Sequence, residues 1–191
     1  MNKFTFFMLF LSLVLGSFSS EKAIGDDIPK ADPYVRVSEN GRFYFKMIPG
    51  DWNWYLKDIA VAPFGIAYEL QDDGQSKPLW KVDGWYAFNV YLSDDGLNLV
   101  RIGVVQNGMQ PSENDLAIAF YVKGALIKEY STAELISELD QISYTVSAYH
   151  WLASVPKLSY EKCLSFKTRD GWFYLFDAMT GEILKKERSI E

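Results

Sequence analysis

The chain has 191 residues, 49% of them hydrophobic and 23% charged, with a formal net charge of −6. That length and balance suffice for one domain with a real core and exclude a wholly disordered chain. The acidic excess disfavours a nucleic-acid or anionic-lipid partner, because both surfaces carry phosphates. A single cysteine, Cys163, rules out any intrachain disulfide.

Residues 1–20 read as a cleavable signal peptide. Lys3 is a short positive start, Phe4 to Leu15 is an apolar run, and Ser17 and Ser19 are small residues two apart, as signal peptidase requires. The run is too short for a comfortable membrane span. Cleavage near Ser19 or Ser20 removes one base and no acid, leaving a more acidic chain in the periplasm or outside the cell. Residues 21–32 are polar and read as a flexible lead-in. The rest, 33–188, is expected to form one antiparallel β domain, and its high aromatic content (16%) favours strands.

In chain order, Pro33 to Val37 starts the first strand, Ser38-Glu39-Asn40-Gly41 turns, and Arg42 to Ile48 returns. Pro49-Gly50-Asp51 ends that strand. Trp52, Trp54 and Tyr55 follow in a loop or short strand. Gly65 to Leu70 and Pro78 to Val82 flank a turn at Gln71-Asp72-Asp73-Gly74. Next comes the stretch Trp80 to Gly103, two strands around Ser93-Asp94-Asp95-Gly96. Tyr86, Phe88, Val90 and Leu92 alternate there with Trp85, Ala87, Asn89 and Tyr91. With both faces largely apolar, that strand is expected in the middle of a sheet, covered on both sides.

Val104 to Asn114 reads as a loop. Leu116 to Val122 and Ala125 to Tyr130 form a hairpin over Lys123-Gly124. The period then changes: Ser131-Thr132-Ala133-Glu134 is a capping-box pattern, and Leu135, Ile136 and Leu139 share one helical face. The spacing predicts one short helix over 132–140. Ile142 to Leu152 reads as a strand and Pro156 to Glu161 as a loop. Strands follow at Cys163 to Thr168, Trp172 to Phe176 and Glu182 to Lys186, with the charged tail from Lys185 onward fraying.

Two elements recur. One is a Ser/Thr-x-Asn/Asp-Gly turn before an apolar strand, at Ser38, Ser93 and Thr168. The other is a hairpin with Gly at its tip, at Gly74, Gly124 and Gly181. Three imperfect strand-turn-strand copies predict an all-β fold of stacked antiparallel sheets. The turn geometry requires positive φ at Gly41, Gly96 and Gly171.

The run from Asp170 to Leu184, with Gly171, Tyr174-Leu175-Phe176-Asp177 and Thr180-Gly181, resembles the outer hairpin of a quinoprotein-type β-propeller blade. Ser93-Asp94-Asp95-Gly96 is similar to the Ser-Pro-Asp-Gly turn of other propeller repeats. The sequence from residue 21 also resembles a group of uncharacterised exported bacterial proteins through its Gly84-Trp85-Tyr86 and Leu92 to Gly96 segments. The resemblance implies blade-like sheets. Three units are fewer than the roughly four to eight blades of a closed ring, so an open or two-layer antiparallel assembly of blade-like sheets is expected.

Chemistry is sparse. His150 is the sole histidine, and no Gly-x-Ser-x-Gly elbow accompanies it. Its aromatic neighbours favour a structural or surface role. Zinc sites with several His or Cys ligands are excluded by count. Asp72-Asp73 and Asp94-Asp95 are carboxylate pairs of the kind calcium accepts, yet turns use Asp anyway. Cys163 reads as a small buried hydrophobe. The remaining signal is aromatic: Trp52, Trp54 and Tyr55, outside any alternation, either plug the core or present rings to a partner. The expected function is a secreted or periplasmic, non-catalytic binding or accessory protein. It takes a protein or glycan partner, with no cofactor, no nucleic acid and no membrane association after cleavage. The competing class is an exported hydrolase using His150 or paired carboxylates.

Overall fold

The computed structural model describes residues 30–53, 58–103, 106–107, 110–144 and 148–189, with 51–53, 58–60, 106–107 and 143 as backbone alone. The expected signal peptide and most of the lead-in lie outside the described residues.

Three four-stranded antiparallel sheets follow one another along the sequence. Sheet I contains β1 (Tyr34–Val37), β2 (Phe43–Ile48), β5 (Phe64–Leu70) and β6 (Ser76–Asp83), with the small ladder β3 (Asp51–Asn53) and β4 (Asp58–Val61) inserted. Sheet II contains β7 (Val90–Leu92), β8 (Asn98–Ile102), β10 (Leu116–Val122) and β11 (Ala125–Ser131); β9 (Gln106–Asn107) leaves it. After α1 (Thr132–Leu135) and a 3-10 turn at Leu139–Gln141, β12 (Ser143–Tyr144) and β13 (Ala148–His150) pair with each other, and β13 also pairs with β9. Sheet III contains β14 (Lys157–Leu158), β15 (Cys163–Lys167), β16 (Trp172–Asp177) and β17 (Ile183–Arg188). Each large sheet is a meander whose strands pair in sequence order, so the fold is all-β and built from three imperfect blade-like repeats.

Sheet II is the middle layer. Side chains alternate across a strand, and both of its faces are covered. Leu99, Ala119 and Tyr121 turn toward Phe45, Met47, Ala67 and Val82 of sheet I. Val100, Ile118 and Phe120 turn the other way, toward Leu164, Phe166, Tyr174 and Phe176 of sheet III. This is why Leu116 to Val122 reads as a continuous apolar run: it has no solvent face. The second interface is aromatic, with Phe120 5.4 Å and Phe166 5.5 Å from Phe176, ring centre to ring centre.

The register of the repeat differs from the sequence expectation. The turns joining the first and second strands of the three sheets are Ser38 to Gly41, Ser93 to Gly96 and Ser159 to Lys162. The Thr168 to Gly171 turn joins the second and third strands of sheet III instead. It uses the same local chemistry, a hydroxyl accepting from the N–H of Trp172, as Ser38 does from Phe43. A turn motif therefore identifies the turn type without identifying the joint. In the third turn the glycine position is held by Lys162, at φ +63°. Gly41, Gly96 and Gly171 have φ of +73°, +68° and +86°, as the sequence requires.

Several boundaries also move. The strand expected from Trp85 to Leu92 is regular only at Val90–Leu92. It is the edge of its sheet by hydrogen bonding, and it is central by packing, with β1 and β14 on either side. Helix α1 stops at Leu135, because the Asp170 carboxylate takes the N–H groups of Ser137 and Glu138 at 2.8 and 3.2 Å and holds that segment extended. The tail does not fray at Lys185. Strand β17 runs to Arg188, whose guanidinium lies 4.5 Å from the Trp172 ring centre. Cys163 is half-buried.

Candidate binding site

The first strands of the three sheets, β1, β7 and β14, converge, and their turns are tied in series. The Asn40 backbone N–H donates to Asp94 Oδ1, and the Asn40 side-chain amide donates to the Asp94 carbonyl, both at 2.8 Å. On the other side, Lys162 Nζ lies 2.5 Å from Asp95 Oδ2. Burial raises the Asp95 carboxyl, but Lys162, the Ser93 hydroxyl and the Leu97 N–H together outweigh that and hold it below its ordinary value. Asp94 and Asp95 are thereby engaged by protein groups. Asp73 likewise accepts the Gln75 N–H. Among the described residues, no group of three or more His, Cys, Asp or Glu is placed to hold a metal ion.

The ties frame a cleft of about 290 Å³, to which β1 contributes Arg36, its turn Glu39, β7 Tyr91, its turn Asp94, and β14 Lys157 and Leu158. A second hollow of about 330 Å³ meets it at Tyr91 and is lined by Asn89, Ile102, Leu152, Val155 and Pro156. Tyr91 is thus the wall between a charged compartment and a largely apolar one. Burial raises its phenol above the ordinary range, and the nearby Arg36 guanidinium opposes that rise. Arg36 Nε is enclosed without a hydrogen-bond partner among the described residues. No carboxylate is paired with this guanidinium among the described residues, and its terminal N–H groups, on the cleft wall, can serve an incoming acceptor.

The sequence-based candidates fall elsewhere. Trp54 and Tyr55 lie outside the described residues, and Trp52 is described only as backbone in β3. His150 is exposed on β13, where its backbone pairs with Ser143. No hydrogen bond joins its ring to a serine or aspartate among the described residues. The buried polar groups nearby serve the fold. The Tyr149 hydroxyl donates to Asp115 Oδ2 at 3.0 Å and sits 2.7 Å from Thr132 Oγ1, tying α1 to sheet II. Arg36, Tyr91 and Lys157 escape a sequence reading because each sits singly in an ordinary strand. The one available signal is Arg36 itself, a charge inside the apolar run Tyr34-Val35-Arg36-Val37.

Among the described residues, no helix is long and apolar enough to cross a membrane. No family model matches the sequence, and no curated protein matches it.

Proposed function

We propose that this is an exported, non-catalytic binding or accessory protein that engages a protein partner through the cleft between β1, β7 and β14. The observation that carries the reading is Arg36, whose Nε has no hydrogen-bond partner among the described residues, beside Tyr91 at the point where all three sheets meet. Export rests on the Lys3 and Phe4 to Leu15 pattern of the sequence. An acyl-transfer enzyme would need a nucleophile within reach of its base. The exposed His150, without a Ser or Asp partner among the described residues, supports a binding role over a hydrolytic one.

The test is capture of partners from the cell envelope on the immobilised full-length protein, followed by titration of the recovered partner. Saturable binding that competes with soluble protein is the expected result. A hydrolytic activity lost in His150→Ala, with folding unchanged, overturns the reading. Trp52, Trp54 and Tyr55 enter the same titration as the candidates read from the sequence. Under the binding reading, Trp52→Ala with Trp54→Ala weakens association more than it lowers the melting temperature.

A further inference from the structure

We propose that the cleft takes the carboxyl terminus of a polypeptide, with the terminal carboxylate on Arg36 and an apolar last side chain in the adjoining hollow past Tyr91. This deepens the binding reading above and rests on it.

The argument starts from which charges remain available. Four charged side chains line the first compartment: Arg36, Lys157, Glu39 and Asp94. Asp94 is occupied, accepting the Asn40 N–H at 2.8 Å. Glu39 is exposed to water, where its field is screened. Arg36 is the group drawn in from water, half-buried with its Nε enclosed and unpartnered. Arginine presents parallel N–H donors that match the two oxygens of a carboxylate, and Lys157, exposed like Glu39, offsets that residue's screened charge. A monoanion is favoured over a phosphate dianion, because the half-buried Asp94 also lines the compartment and repels the larger charge more.

The second compartment supplies the apolar half. Ile102, Leu152, Val155 and Pro156 offer hydrocarbon, and Val155 is 76% exposed with nothing covering it among the described residues. An α-carboxylate and its side chain branch from one carbon, so a ligand carrying both straddles a shared wall, which Tyr91 provides. A free amino acid has the same two features plus an ammonium group. Among the described residues its only unoccupied acidic partner in the cleft is the solvent-screened Glu39, so the ammonium gains little. At a polypeptide terminus that nitrogen is an amide, which needs no counter-charge.

The experiment is titration of the full-length protein with N-acetyl-leucine, N-acetyl-leucinamide, N-acetyl-glycine and free leucine, followed by NMR chemical shifts. N-acetyl-leucine is expected to saturate and to shift Tyr91. The amide, lacking the charge, binds at least tenfold more weakly, and N-acetyl-glycine, lacking the side chain, also binds more weakly. Arg36→Gln removes the preference for acid over amide, and Val155→Lys removes the preference for leucine over glycine. Both variants melt with the wild type. Equal binding of acid and amide by the wild-type protein, or no binding of the acid, overturns the proposal without needing any variant to fold. Free leucine binding as tightly as N-acetyl-leucine also overturns it, in favour of an amino-acid site. If the envelope partner still binds Arg36→Gln with unchanged affinity, the carboxyl-terminus proposal falls while the binding function stands. If the wild-type protein captures no partner at all, the binding function falls.

Discussion

Asn40 and Asp94 hold the turns of two successive sheets together through two hydrogen bonds of 2.8 Å, one from the Asn40 backbone and one from its side chain. Residues 54 positions apart are thus joined at corresponding turns of the repeat. Asn40→Ala removes the side-chain bond and also the Oδ1 that accepts from the Ser38 hydroxyl and the Arg42 N–H. These bonds are at least partly solvent-exposed, so the expected loss is about 1–2 kcal/mol, read by urea denaturation. A larger loss would mean that the turn itself no longer forms.

Of the three turn glycines Gly41, Gly96 and Gly171, Gly96 is the one with no room for a side chain. Its φ is +68°, and a Cβ there would stand 2.4 Å from the Phe43 ring. Gly96→Val combines backbone strain of roughly 1–3 kcal/mol with displacement of a core-flanking ring. The expected total is above about 2 kcal/mol by the same denaturation measurement. A value near zero would contradict the turn geometry.

The Lys162–Asp95 contact makes stability depend on acid. The Asp95 carboxyl is held below its ordinary value of 3.8, so the folded state binds that proton less readily than the unfolded state. The stabilisation is therefore fully present above the ordinary value and lost as pH falls through the lower, folded one. Lys162→Met is expected to lower stability at neutral pH and to converge on the wild type in acid, which flattens the acid limb of a stability-against-pH curve. An unchanged acid limb would show that the contact does not act on folding.

Asp170 is fully buried, and its Oδ2 accepts the N–H groups of Ser137 and Glu138. Asp170→Ala leaves both donors without their acceptor. Hydrogen bonds to a charged group are worth about 1.5–3 kcal/mol each before non-additivity, so a loss of roughly 2–4 kcal/mol is expected. By contrast, His150→Ala is expected to change stability by less than about 0.5 kcal/mol, because the ring is exposed.

What was legible in the sequence follows from how local each feature is. The hairpin over Lys123-Gly124 and the capping box at Ser131 to Glu134 both appear as expected, since a turn residue or a hydroxyl-carboxylate pair acts on its own neighbours. The helix end was not legible, because Asp170 lies 33 and 32 residues from the two N–H groups it takes. The third turn was misplaced for a related reason. Ser159 to Lys162 carries lysine where the motif has glycine, while Thr168 to Gly171 carries the motif at another joint. The cleft was the least legible feature. Arg36, Tyr91 and Lys157 come from three sheets, and only long-range packing brings them together. The aromatic signal at Trp52, Trp54 and Tyr55 was local, and so drew attention to a different segment.

The most direct test compares the affinity of the captured envelope partner for wild type, Arg36→Gln and His150→Ala, with the melting temperature of each measured alongside. The account predicts at least tenfold weaker binding in Arg36→Gln, about 1.4 kcal/mol, with unchanged melting, and wild-type affinity in His150→Ala. Undiminished binding in Arg36→Gln, or loss of function in a folded His150→Ala, would contradict it.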